Sequence, residues 1–202
     1  MKLAVVTAGL TQPSSSRLLA DRLAEAVTRQ AQAEVRVIEL RDLAVDIANN
    51  FVTGFPNTRL REAIEAVTEA DGLIAVTPIF SGSYSGLFKS FFDVIDNGAL
   101  AGKPALIAAT GGTARHSLAL EHALRPLFAY LRAVVVPTAV YAASEDWGGA
   151  ADAFTDGLGP RIARAAEELA DLLLHRSPKG AGTEEEEVVP FEQQLAALRP
   201  LG

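Results

Sequence analysis

Short apolar runs alternate with segments of helical spacing along most of the chain, and this alternation restricts the fold more than any single motif. Five runs have the length and composition of buried strands, at residues 3–8, 35–40, 72–77, 104–110 and 133–140. Amphipathic segments lie between and after them, at residues 16–30, 59–70, 87–98, 117–131 and 159–176. Strands that alternate with helices form a parallel sheet covered on both faces, so we predict a doubly wound α/β domain in three layers, α/β/α.

The order of the strands determines where a ligand can bind. Five parallel strands joined by helices commonly take the order 2-1-3-4-5, and we predict that order here. The chain then turns in opposite directions after the first and third strands, which leaves a crevice between the loops that follow them. These loops are GLTQPSSSR, residues 9–17, and PIFSGSYSG, residues 78–86. We expect the functional residues to lie there.

The first loop is rich in hydroxyl groups and leads directly into a predicted helix. A helix N-terminus offers unpaired N–H groups and the positive end of the helix dipole, which suit an anion. The candidate phosphate ligands are Thr11, Ser14, Ser16 and Arg17. Neither the Gly-x-Gly-x-x-Gly pattern nor the Walker lysine spacing is present, so the loop is predicted to hold a monophosphate. Capping of the helix by one serine would also explain the serine run.

The second loop and a glycine turn after the fourth strand offer a flat surface beside this cradle. Tyr84 stands where a hydrolase nucleophile elbow carries its serine, which argues against a hydrolase. Glycines in TGGTARH, residues 110–116, allow backbone N–H groups to approach the edge of a ring. The candidate ring-binding residues are Pro78, Ile79, Phe80, Ser81, Ser83, Tyr84, Thr110, Gly111, Gly112 and Thr113. A phosphate cradle beside a planar slot suits FMN, whereas ordinary turns and packing are the alternative role of these residues.

Charge and composition exclude several partners and chemistries. The 202-residue chain carries a net charge of −7, which argues against nucleic acid and anionic membranes as partners, because both attract clustered Lys and Arg. There is no cysteine, and His116 and His122 fall on different faces of one predicted helix, so we predict no metal site. Without a recognisable signal peptide or an apolar run of membrane-spanning length, the protein is expected to be cytoplasmic.

Three stretches resemble the NADPH-dependent FMN reductases of the flavodoxin-like fold, in particular those that feed reduced flavin to two-component monooxygenases of the alkanesulfonate and luciferase-like type. They are AGLTQPSSSRLLA, TPIFSGSYSGLFKSFFDVI and GKPALIAATGGTARHSLALEHALRPLFAYLRA. The resemblance implies that the first loop binds the FMN phosphate, that the second lies along the isoalloxazine and ribityl chain, and that the TGG turn meets the pyrimidine edge. Leu10 departs from the Gly-Ser-x-Arg opening common in relatives.

By the same resemblance, the protein is expected to be an NAD(P)H:FMN oxidoreductase that transfers a hydride from NADPH or NADH to N5 of FMN and supplies reduced FMN to a partner monooxygenase. The cofactor carries the chemistry, so we name no catalytic side chain. Residues 1–176 are expected to form the flavodoxin-like FMN-binding domain. Residues 177–202, with four consecutive glutamates, are expected to form a flexible acidic linker and a short amphipathic segment.

Assembly and function leave alternatives open. Residues 88–95 and 124–131 carry more aromatic side chains than one sheet face needs, so we expect a homodimer or homotetramer. An FMN-retaining quinone or azo reductase could use the same slot, and a flavodoxin-like electron carrier could expose the same flavin. A domain of this fold that binds no flavin is the third alternative, because a fold does not determine a function.

Overall fold

The computed structural model describes residues 1–148 and 157–175, so the predicted linker at 177–202 lies outside the described residues. The strands are β1 (Lys2–Thr7), β2 (Glu34–Glu39), β3 (Gly72–Phe80), β4 (Ser83–Tyr84), β5 (Pro104–Gly111), β6 (Val134–Val135) and β7 (Val140–Ala143). The helices are α1 (Ser15–Thr28), α2 (Ala44–Thr53), α3 (Thr58–Glu69), α4 (Gly86–Asp93), α5 (Arg125–Tyr130) and α6 (Leu158–His175). Within this described part, no helix is both long and apolar enough to cross a membrane.

The sheet confirms the predicted fold class and strand order. Its strands run in the order β2-β1-β3-β5-β6, and β7 also pairs with β5. All of these pairs are parallel, so the strands end at one common edge. The short strand β4 is the exception, because it folds back antiparallel on the end of β3. The chain therefore reverses its direction of travel between β1 and β3, as the flavodoxin-like order requires.

Alternate side chains of the central strands enter two separate cores, which gives the three layers. On one face, Leu3 and Val5 of β1 pack with Leu19 of α1 and Leu169 of α6. On the other face, α3, α4 and α5 cover the sheet, and their buried side chains join those of Ala4 and neighbouring strand residues. Burial on both faces explains why the strand sequences are apolar almost without interruption.

The predicted fifth strand, residues 133–140, is divided into β6 and β7, and its longer part lies further along the chain than expected. Pro137 falls between the two parts, and proline cannot donate to a strand ladder. Thr138 turns instead toward α6, where its N–H donates to Glu168 Oε2 at 2.7 Å and its hydroxyl donates to Glu168 Oε1 at 2.6 Å. The side chain of Glu168 therefore accepts the hydrogen bond of a backbone N–H that the interrupted strand leaves without a strand partner.

The predicted helix at residues 117–131 is also divided. A π-helical segment, Leu120–Leu124, precedes α5. Pro126 is the second residue of α5, and its ring would clash with the carbonyl of His122 in a regular α-helix. A π-helical turn, with hydrogen bonds that span five residues, thus replaces the regular α-helical turn ahead of the proline.

Helix α2 has no counterpart in the sequence analysis. Ile47 is its one buried residue, yet apolar side chains recur at helical spacing along AVDIANNFVT, so the sequence did carry a signal for this helix. Several large apolar side chains of α2 and of the loop after it are instead exposed, namely Val45, Phe51, Val52 and Phe55, which we call the α2 patch. Exposed apolar residues that lie together commonly mark an interaction surface.

Four of the five aromatic residues on which we based the expected assembly are buried inside the subunit. Phe88, Phe91 and Phe92 of α4 and Phe128 of α5 are at most 1% exposed. Their rings pack on one another, with the centroids of Phe88 and Phe92 4.8 Å apart and those of Phe92 and Phe128 5.1 Å apart. These four side chains are therefore not available to a second copy of the chain, whereas Tyr130 is 69% exposed, so only part of the reason for expecting an oligomer is removed.

We propose that the α2 patch, rather than the aromatic cluster, joins two copies of the chain. Val52 is 88% exposed, and an aspartate there would place a charge in the contact. Light scattering of the wild type should give a mass of at least twice 21.3 kDa, and V52D should lower that mass. Leu174 on α6 is also exposed but lies on the other layer, so L174D is the matched control and should leave the mass unchanged. A monomeric wild type at micromolar concentration would contradict the proposal.

Candidate functional site

A cavity of about 380 Å³ lies at the C-terminal edge of the sheet, at the point where the chain reverses direction. Its volume lies within the range of small-molecule sites, roughly 300–1,000 Å³. The lining residues come from four loops and strand ends: Gly9, Leu10, Thr11, Ser14, Ser15, Ser16, Pro78, Ile79, Phe80, Thr110, Gly111, Gly112, Ser144 and Trp147. The structure thus brings the hydroxyl-rich loop, the end of β3 and the TGG turn together around one space.

Close packing inside the first loop holds it against the start of α1. Ser14 is the N-cap of α1, and its Oγ accepts from the N–H of Arg17 at 3.2 Å. A Cβ atom at Gly9 would lie 2.0 Å from that Oγ and 3.3 Å from the Cβ of Ser16. Only glycine leaves room for this arrangement, so Gly9 is a determinant of the loop that the sequence analysis did not identify.

The hydroxyl of Ser16 has a partner inside the protein. Ser16 Oγ and Thr110 Oγ1 share a hydrogen bond of 2.8 Å, and both residues are buried. The bond joins the first turn of α1 to the end of β5, across the strand between them. Two predicted ligands therefore also form the floor that fixes the two sides of the cavity relative to each other.

Arg17 does not line the cavity. Its Nε donates to Asp21 Oδ1 at 2.8 Å, and its Nη1 donates to Glu39 Oε1 at 2.5 Å. The hydrogen bond to Asp21 is the main cause that raises the pKa of Arg17 above its usual value. Glu39 also pairs with Arg41 at 2.9 Å, and Arg41 donates to the carbonyl of Thr11 at 3.1 Å. This charged network braces the outer side of the loop, and a direct phosphate contact by Arg17 stays a prediction.

The second loop is a tight hairpin that ends β3. Ile79 pairs with Tyr84 and Phe80 pairs with Ser83, so only two residues form the turn. Ser81 and Gly82 have φ values of 49° and 79°, which is the combination a type I′ hairpin requires. The hairpin leaves Phe80 47% exposed on the cavity wall.

The other predicted hairpin residues lie away from the cavity lining. Tyr84 packs its ring against Phe88, with the centroids 5.9 Å apart, so it belongs to the helix-covered core rather than to the cavity wall. Ser81 and Ser83 are not among the lining residues either. The base of the hairpin is fastened where the N–H of Ser85 donates to Thr77 Oγ1 at 3.0 Å.

A tyrosine supports the glycine turn after β5. The hydroxyl of Tyr141, on β7, donates to the carbonyl of Thr113 at 2.9 Å. A Cβ atom at Gly111 would lie 2.1 Å from that hydroxyl oxygen, whereas one at Gly112 would meet nothing within 4 Å. Burial raises the pKa of Tyr141, and the nearby carboxylate of Glu145 raises it further, so the hydroxyl keeps its proton at neutral pH. Thr113 itself lies outside the lining residues.

The segment Ser144–Gly148, after β7, supplies two lining residues that the sequence analysis missed, Ser144 and Trp147. Asp146 holds this segment in place, because it accepts from the N–H of Ala143 at 2.8 Å and pairs with Arg161 of α6. The strand order could have predicted these two residues. Because every parallel strand ends at the same edge of the sheet, the loop after the fifth strand also reaches the crevice.

The donors around the cavity match the chemistry of a flavin mononucleotide. Thr11, Ser14 and Ser15 bring hydroxyl groups to the N-terminus of an α1 helix of 14 residues, and these groups suit a phosphate. Phe80 offers an aromatic face, and the open side of Gly112 leaves space for a ring close to the backbone. No group of three or more His, Cys, Asp or Glu residues suited to a metal occurs in residues 1–148 and 157–175.

Comparisons with known proteins agree with this geometry. The chain is 37% identical over 176 residues to an FMN reductase (NADPH) of Pseudomonas aeruginosa, which covers 87% of this chain and 94% of that protein. It is 36% identical to the NADH-dependent FMN reductase SfnF of Pseudomonas fluorescens, over 85% of this chain and 91% of that protein.

A solved structure extends the similarity to the fold. An oxidoreductase from Corynebacterium diphtheriae has 48% sequence identity and a TM-score of 0.80, covering 87% of this chain and 98% of that one. The family model described as NADPH-dependent FMN reductase matches residues 1–148, which include all four loops of the cavity. The chain belongs to the NADPH-dependent FMN reductase family.

Proposed function

We propose that this chain is an NAD(P)H-dependent FMN reductase that passes reduced FMN to a partner monooxygenase. The observation that carries the proposal is that a hydroxyl-lined helix N-terminus, an exposed aromatic ring and a glycine turn line one cavity. Bound FMN would accept a hydride at N5 from the reduced nicotinamide, which is chemistry the cofactor supplies. The protein then has to bind, orient and exclude water, and no side chain has to act as acid or base.

Each wall of the cavity has a distinct part in holding the flavin. The first loop would bind the phosphate through the hydroxyls of Thr11, Ser14 and Ser15 and through the first N–H groups of α1. The end of β3 would lie along the ring and the ribityl chain, with Phe80 at the mouth. The turn at Gly111 and Gly112 would meet the pyrimidine edge, where donors stabilise the negative charge of the reduced ring.

The second part of the proposal is that the protein releases reduced flavin to a monooxygenase. Phe80 is half exposed, so one wall of the cavity is open to solvent. An open wall favours exchange of the flavin and access of the nicotinamide from the same side. The resemblance of the three sequence stretches to reductases of two-component systems supports this use of FMN as a substrate.

Steady-state assays test the proposal directly. The purified chain should oxidise NADPH or NADH under air in a reaction that depends on added FMN, followed by the loss of nicotinamide absorbance. Flavin that stays bound through dialysis, with turnover only when an organic acceptor is added, would favour a quinone or azo reductase. Binding of FMN without any nicotinamide oxidation would favour an electron carrier.

A substitution at Ser15 tests the phosphate cradle. Ser15 is exposed at the first position of α1 and lines the cavity, so S15A removes one hydroxyl with little effect on packing. A hydrogen bond to a charged group contributes about 1.5–3 kcal/mol, so the Kd for FMN should rise by roughly 10- to 100-fold. Calorimetric titration checks this value. S15T keeps the hydroxyl and should bind like the wild type, and riboflavin, which has no phosphate, should bind S15A and wild type alike. Equal FMN affinity in S15A and wild type would count against the cradle.

A pair of substitutions tests how the glycine turn is shaped. G111A should lower the free energy of unfolding by about 1–3 kcal/mol, because the new Cβ overlaps the Tyr141 hydroxyl. Adding Y141F removes the overlapping atom, so the double variant should lose less than the two single variants combined. G112A is the matched control and should be as stable as the wild type, since its Cβ meets nothing within 4 Å. Denaturant titration gives all four values, and strictly additive losses would refute the packing argument.

A further inference from the structure

The single tryptophan of the chain is part of the cavity lining, and the proposed binding of FMN gives it no part so far. Trp147 belongs to the segment after β7 and lines the cavity together with Ser144. Its side chain is partly buried and packs against the core between the sheet and the helices α1 and α6. A large side chain in the lining of a ligand cavity can limit the size of the ligand that the cavity binds.

The indole is held on two sides. The guanidinium carbon of Arg22, on α1, lies 6.0 Å from the centroid of the Trp147 ring, which is the outer range of a cation–π contact. Asp146, the preceding residue, is fixed by the N–H of Ala143 and by Arg161. One face of the ring is therefore covered by Arg22, and this face is not free to stack on a ligand.

The contact with Arg22 places the indole against α1, the helix that the hydroxyl-rich loop precedes. Arg22 lies about two helical turns after Ser15 on the same side of α1, and long helical side chains lean toward the N-terminus of their helix. Arg22 also lines a second cavity of about 260 Å³ between α1 and α6, together with Arg29 and Ile162. Trp147 thus contacts a residue of the second cavity while it lines the first.

We propose that Trp147 determines flavin specificity by closing the cavity at the phosphate end, so that FMN is accepted and FAD is not. The inference rests on the proposed function and deepens it. FMN ends at its phosphate, whereas FAD continues with a second phosphate and an adenosine. That extension would continue from the phosphate into space that Trp147 occupies, since the indole lines the same cavity and contacts Arg22 of α1. A smaller side chain at position 147 leaves room there for the adenosine.

Binding titrations of FMN, FAD and riboflavin to the wild type, W147A and W147F test the inference by calorimetry, without turnover. The wild type should bind FMN more tightly than FAD. W147A should lower the ratio of the FAD and FMN dissociation constants by at least about tenfold, the range that a change of pocket shape gives. W147F keeps a large ring and should preserve most of the selectivity. Riboflavin affinity should be similar in all three proteins, because riboflavin ends before the phosphate.

Other outcomes separate the inference from the function on which it rests. A wild type that binds FMN, together with a W147A protein that has the wild-type ratio, would overturn the specificity role and leave the proposed function standing. A selective loss of FAD affinity in W147A would also overturn it, because the indole would then support the adenosine. A wild type that binds no FMN would refute both proposals. If thermal melting shows W147A to be unfolded, W147L provides the same test with a side chain that keeps more apolar contact.

Discussion

The functional cavity depends on the reversal of the chain between β1 and β3. Because β2 and β5 lie on opposite sides of this central pair, the loops after β1 and β3 leave the sheet in different directions and a space opens between them. The hydrogen bond between Ser16 and Thr110 spans the floor of that space. Every other feature of the site, from the capped start of α1 to the hairpin at Phe80, occupies a position that this topology provides.

Two close contacts then shape the cavity before any ligand arrives. Ser14 presses against Gly9, and Tyr141 presses against Gly111, each leaving no room for a Cβ atom. Such contacts fix the backbone of both loops, so less conformational entropy is lost when a ligand binds. The charged network of Arg17, Glu39 and Arg41 adds support from outside the cavity. The glycines are therefore required by packing inside the protein as much as by access of a ring.

Local patterns in the sequence were sufficient for the order of the sheet and for most of the cavity wall, because strand length, helical spacing and loop position are local properties. They failed where a distant partner decides the outcome. Glu168 of α6 binds the backbone beyond Pro137 that the interrupted fifth strand leaves unpaired, and Glu39 of β2 pairs with Arg17 on the outer side of the first loop. Trp147 reaches the site from a loop whose own sequence has no ligand-binding motif. Such pairings follow from the tertiary structure and leave no periodic signal.

A crystal structure of the protein with FMN would test the central claim most directly. The account predicts the phosphate at the N-terminus of α1, within hydrogen-bond distance of the Ser14 and Ser15 hydroxyls. The isoalloxazine ring should lie between the end of β3, at Phe80, and the turn at Gly111 and Gly112. An FMN bound elsewhere, or bound in this cavity with its phosphate away from α1, would contradict the account.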